Sequence, residues 1–118
     1  MVAINPERLL ATLRRFAEFG AYKTGVHRPT YTPDDMASRH WLLEHYRALG
    51  LDSHIDGVGN VFGFSPGSKP SLLIGSHAES QNQAGWLDGA MGVIYGLEVA
   101  RALAENADTA ELPVSTVA

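Results

Sequence analysis

No cysteine occurs among the 118 residues of the chain. Disulfides, thiolate metal sites and a cysteine nucleophile are therefore excluded, and any metal must be held by imidazole and carboxylate groups. Basic charge is scarce as well: nine Lys and Arg stand against 13 Asp and Glu, a formal net charge of −4. Nucleic-acid binding usually shows as a basic patch or stripe, so no nucleic-acid partner is expected. Arg14-Arg15 is the only adjacent basic pair, and helical surfaces carry such pairs routinely. No stretch approaches the ~20 apolar residues that span a bilayer, and no membrane partner is expected either. The segment Met1 to Pro6 lacks a basic region followed by an apolar one, so no secretory signal is read and a cytoplasmic location is expected.

What remains is an ordinary globular composition, 45% apolar and 19% charged. The length allows one domain at most, with a genuine core.

The chemistry concentrates in one stretch. Leu72-Leu73-Ile74-Gly75 reads as a short buried strand that runs into Ser76-His77-Ala78-Glu79. A polar loop leads to Leu87, and Asp88-Gly89-Ala90-Met91-Gly92 opens a long apolar helix. Ligands of open α/β sheets bind outside the carboxyl ends of strands, which is where His77, Glu79 and Asp88 fall.

The elements on either side can be read in order. Asn5 and Pro6 open a helix as N-cap and N1, with Leu9, Leu13, Phe16 and, one step round, Leu10 as its apolar face. Gly20 stops it, and Ala21 to Tyr31 reads as an ordered loop. His27 and Arg28 in that loop could face a substrate, although a basic dipeptide in a loop is more often solvated. Thr32-Pro33-Asp34-Asp35 starts a second helix, with carboxylates at the positive end of its dipole, and Gly50 ends it. His40 and His45 are five apart, whereas a metal pair on a helix wants a spacing of four, so both read as surface residues. Leu51 to Asp56 alternates as a half-buried strand does, with His54 outward. After the turn Gly57-Val58-Gly59-Asn60, a second extended run follows over Val61 to Phe64, and the two read as a hairpin or adjacent strands.

Ser65 to Pro70 is a surface loop by composition. Ala90 to Ala104 is a helix apolar almost all round, hence buried on more than one side, and a chain this short leaves little to cover its second side. Asn106 to Glu111 is a loop, and Leu112 to Ala118 begins another β-prone run that stops without turn, cap or polar tail. A chain cut short is the expectation.

As metal ligands the three side chains have a coherent logic. A neutral imidazole suits Zn, Mn, Co or Ni, and a carboxylate such as Asp88 can bridge two ions roughly 3.5–4 Å apart. Glu79, two residues beyond His77, points to the same side of an extended chain and can accept the imidazole N–H, setting its tautomer. Other chemistries are less well supported. Gly75-Ser76-His77 is not a Gly-x-Ser-x-Gly nucleophile elbow. Gly89, Gly92 and Gly96 lack the neighbours of a phosphate-binding loop, and they suit close helix–sheet contact instead. Trp86 fits a packing role as well as a substrate wall.

Gly75-Ser76-His77-Ala78-Glu79-Ser80, Gly85-Trp86-Leu87-Asp88-Gly89-Ala90-Met91-Gly92-Val93 and Leu97-Glu98 resemble the M20 metallopeptidase-like superfamily. The similar branch is the amidase/hydantoinase/carbamoylase group of N-carbamoyl-L-amino-acid hydrolases and allantoate amidohydrolases. Supporting matches include Thr24-Gly25-Val26-His27-Arg28, Tyr31-Thr32 with Asp35, and Asp56-Gly57-Val58-Gly59-Asn60-Val61-Phe62-Gly63. The resemblance implies an α/β fold with a partial mixed sheet and packed helices, the N-terminal part of a di-metal exopeptidase-like catalytic domain. It implies that residues 1–118 form a single partial domain, without the lid and dimerisation domain or the C-terminal half.

By the same resemblance, His77 is a ligand of one divalent ion and Asp88 bridges two, the ions being Zn, Mn, Co or Ni. The family pattern has an aspartate where Glu79 stands, and a Gly-Gly pair where Ala84-Gly85 stands. A Glu-Glu pair that holds the general base follows the strand at Leu112 to Ala118 in the family and lies outside these residues.

The function so implied is metal-dependent hydrolysis of linear amide or ureido C–N bonds in a small-molecule substrate, with a possible homo-oligomer and with this chain inactive alone. A non-catalytic, self-associating or partner-binding relative and an aminoacylase or exopeptidase of the same superfamily are the alternatives.

Overall fold

Two side-chain caps start the first two helices in the computed structural model, which describes residues 1–118. Asn5 Oδ1 accepts from the Arg8 amide at 2.9 Å ahead of α1 (Pro6–Ala17), and Thr32 caps α2 (Pro33–Ala48). Gly50, at φ +76°, turns the chain out of α2 in a left-handed conformation that favours glycine. Between the helices, part of the segment expected as a loop folds into a small hairpin, β1 (Ala21–Tyr22) paired antiparallel with β2 (Gly25–Val26). Two-residue strands are too short to show a period, which is why the pattern did not reveal them.

The remaining strands form one mixed sheet. β3 (Asp52–Ile55) and β4 (Val61–Phe64) are the expected antiparallel hairpin. β5 (Leu72–Gly75), α3 (Ala90–Ala104) and β6 (Val114–Val117) form a parallel crossover unit. The order is β3-β4-β6-β5, so the last strand inserts at the centre of the sheet. β5 departs from expectation. It lies at the sheet edge, and Leu72 and Leu73 are exposed rather than buried. Four apolar residues in a row read alike whether a strand has one neighbour or two.

α2 and α3 cover one face of the sheet. Gly63, Thr116 and Ile74 are paired across β4, β6 and β5 and so share a face. A Cβ on Gly63 would lie 2.9 Å from the Tyr46 Cβ of α2, and one on Gly96 of α3 would lie 3.3 Å from Ile74. The glycines therefore set how closely these helices approach the sheet, as expected for Gly92 and Gly96. Phe62 and Phe64 project to the other side, stacked 5.0 Å apart beside His54.

The core joins Leu13 and Phe16 of α1, Leu42 and Tyr46 of α2, and Val93, Ile94 and Leu97 of α3. Leu10 falls outside it, exposed, because the helix turns it away from the face of Leu13 and Phe16. The second side of α3 is covered by α1. The buried Glu98 carboxylate receives the Asn5 amide at 3.0 Å and two Arg8 nitrogens at 2.8 Å. No helix is long and apolar enough to cross a membrane.

Candidate metal site

The end of β5 and the start of α3 bring the three carboxylate and imidazole groups together. His77 follows β5 by two residues, and Asp88 precedes Gly89, the N-cap of α3. The Gly89 backbone, at φ +72°, passes directly against the imidazole: a Cβ there would lie 2.3 Å from a ring carbon of His77. Only glycine allows that approach.

The two imidazole nitrogens have different surroundings. Nδ1 lies 3.0 Å from Glu79 Oε1 and 3.2 Å from the Glu79 carbonyl oxygen. Both are acceptors, so Nδ1 carries the proton in the neutral ring and Nε2 keeps its lone pair. Nε2 faces Asp88, whose Oδ2 is 3.9 Å away. His77 is about half exposed and Asp88 largely exposed, so the pair is open to solvent. Beside it lies a cleft of about 340 Å³ lined by Thr30, Arg39, Asn60, Ser76, His77 and Glu79, among others.

A divalent ion is the cofactor the family resemblance implies, and the donor set suits it. An imidazole lone pair and a carboxylate oxygen 3.9 Å apart fall within the ~4.2 Å that two ligand bonds of about 2.1 Å can span. The N–H held by a carboxylate on the far side of the ring is the usual arrangement behind a metal-bound histidine. The chain by itself assembles no group of three or more such side chains around one point.

The other histidines stand apart from this pair. His40 is exposed, His45 stacks 3.8 Å from Trp41, and His54 lies on the opposite sheet face. His27 lends Nδ1 to the Gln83 amide at 3.2 Å and so ties the site loop to the β2 segment. Trp86 packs against the core and lines a shallow hollow with Arg14, Lys23 and Thr24.

Arg28 is the residue that sequence reasoning misplaced. It is buried, 1% exposed, where a loop dipeptide reads as solvated. Burial lowers its pKa from the usual guanidinium range, opposed by the charges of Asp35, Asp34 and Glu79. Its hydrogen-bond acceptors are main-chain carbonyls, at Ala78 and on the far side at Phe16 and Phe19. Side-chain pattern carries no trace of such acceptors.

No protein-family profile matches the chain. The N-carbamoyl-L-amino-acid amidohydrolase of Paenarthrobacter aurescens is 38% identical over 103 residues, which cover 85% of this chain and 25% of that protein. The protein of the same name from a Pseudomonas strain is 34% identical over 121 positions, 99% of this chain and 29% of that one. An amidase of the hydantoinase/carbamoylase family from Burkholderia phymatum superposes on all of the chain with TM-score 0.96 and 48% identity, over 29% of its own length. Sequence and fold thus make the chain an amidohydrolase homologue. More narrowly, its homologues are N-carbamoyl-L-amino-acid amidohydrolases and amidases of the hydantoinase/carbamoylase family, and it spans under a third of the length of these relatives.

Proposed function

We propose that the chain forms part of the catalytic domain of a metal-dependent hydrolase of linear amide or ureido C–N bonds, with an N-carbamoyl amino acid or an allantoate-type molecule as substrate. His77, through Nε2, and Asp88, through its carboxylate, would hold the divalent ions there. The supporting observation is the His77–Asp88 pair at 3.9 Å, with the opposite imidazole nitrogen engaged by Glu79. Divalent ions in such a site would supply polarisation of the scissile carbonyl and acidification of the attacking water.

The protein groups orient and hold charge. Glu79 accepts the hydrogen bond of the Nδ1 proton, which leaves the lone pair of the neutral ring on Nε2. Asp88, as a carboxylate, offsets cationic charge at the mouth of α3 and can ligate through both oxygens. With two ligands from this segment, the remaining coordination positions go to water, so residues 1–118 bind metal weakly and are inactive alone. The complete enzyme is expected to be cytoplasmic, acting on a small molecule and able to self-associate.

Calorimetric titration of Zn²⁺ or Mn²⁺ into the chain, beside a His77→Ala/Asp88→Ala double variant, tests this reading. Weak binding abolished in the double variant is expected. Binding equal in the two proteins, or none in the unsubstituted chain, contradicts it.

A further inference from the structure

Arg28 lies beneath the loop that carries His77 and Glu79. Its guanidinium joins no ion pair of the chain. Nε donates to the Ala78 carbonyl at 2.9 Å, and Nη1 donates to the Phe16 and Phe19 carbonyls at 3.0 and 2.8 Å. The cation sits 4.3 Å from the centre of the Phe16 ring. A buried cation is costly unless its donors are used, and here Nε and Nη1 are engaged in three hydrogen bonds to carbonyls.

What they hold is the site loop. Ala78 is the residue between His77 and Glu79, and its carbonyl is the one Nε grips. The backbone of Arg28 secures the next residue but one: its amide donates to Ser80 Oγ at 2.8 Å, and its carbonyl accepts from the Ser80 amide at 2.9 Å. Val26 and Ala84 then exchange both of their main-chain hydrogen bonds, at 2.9 Å each. The His77–Glu79 segment is therefore stitched at Ala78 and Ser80 to one buried residue, which is anchored through Phe16 and Phe19 to the end of α1. Glu79 can meet the His77 ring only while the Ala78 peptide keeps its plane.

We infer that Arg28 is a positioning residue: by holding the Ala78 peptide it fixes the Glu79–His77 hydrogen bond and thereby the imidazole tautomer that leaves Nε2 free. The purpose rests on the metal-site reading, but the geometry does not. A lysine keeps the charge but has neither the Nε–H nor the planar fork that reaches Ala78 and the α1 carbonyls together.

The test is the ring ¹⁵N spectrum of the chain labelled in histidine, assigned with His77→Gln, in unsubstituted, Arg28→Lys and Ser80→Ala forms. Zn²⁺ titration runs beside it. The unsubstituted ring is expected in the Nδ1–H tautomer. In Arg28→Lys it shifts toward a mixture of tautomers, and Zn²⁺ affinity drops by about tenfold or more, the usual effect of losing support behind a ligand. Unchanged His77 shifts in a folded Arg28→Lys overturn the inference. Should circular dichroism show that variant unfolded, Ser80→Ala decides instead: a shifted His77 tautomer supports the inference, and unchanged shifts overturn it. A correct tautomer with no Zn²⁺ binding in the unsubstituted chain would defeat the proposed function while leaving the role of Arg28 intact.

Discussion

Glu79 and His77 form a pair two residues apart in the chain, with Glu79 Oε1 3.0 Å from Nδ1 and the opposite ring nitrogen turned to Asp88. At the proposed metal site this relationship would make Glu79 a support rather than a ligand. Glu79→Ala is expected to weaken Zn²⁺ binding by about ten- to a hundredfold, whereas Glu79→Asp, which keeps a carboxylate, loses much less. Titration calorimetry of the two variants checks the ranking. Equal losses would mean that the carboxylate is not what holds the ring.

Gly89 is tested by its missing side chain. An alanine would combine a strained backbone at φ +72° with a Cβ 2.3 Å from the His77 ring. The strain costs about 1–3 kcal/mol, and the displaced ring should weaken metal binding as well. Denaturant melts and Zn²⁺ titration of Gly89→Ala measure the two effects, and both should decline together.

Gly92 predicts the reverse of a common rule. Alanine in place of glycine within a helix usually gains about 0.5–1 kcal/mol. Here the new Cβ would lie 2.5 Å from the Ser76 Cβ, so α3 must lift from the end of β5. Gly92→Ala is expected to lower the denaturation midpoint. A raised midpoint would show that the helix has room to shift.

Glu98 ties stability to pH. Burial raises its pKa, but the hydrogen bonds from Arg8 and Asn5 and the charges of Arg8 and Arg101 outweigh it, leaving the carboxyl below its ordinary value of 4.5. A carboxyl lowered on folding adds stability that is present above its unfolded pKa and lost as pH falls through the folded one. Urea melts between neutral pH and pH 3 should therefore lose stability more steeply in the native chain than in Glu98→Gln. At neutral pH, Glu98→Ala should cost about 2 kcal/mol, the scale of lost charged hydrogen bonds.

Local chemistry made much of the fold legible. Asn5, Thr32 and Gly50 act within a few residues of themselves, so caps and stops were readable, and the β3–β4 hairpin followed from alternation across a Gly-rich turn. The exposed edge of β5 and the cover that α1 gives α3 depend on which segments meet, and no periodicity encodes that. The site divides in the same way. His77, Glu79 and Asp88 stood out as chemistry-bearing residues in one stretch. Arg28 did not, because its role lies in carbonyls of residues up to 50 positions away.

The most direct measurement is site-resolved. Zn²⁺ is titrated into the histidine-labelled chain and the ring nitrogens of all five histidines are followed. The Nε2 resonance of His77 is expected to move first, and Asp88→Ala to weaken the response. Movement at His27, His40, His45 or His54 with His77 unchanged would contradict it.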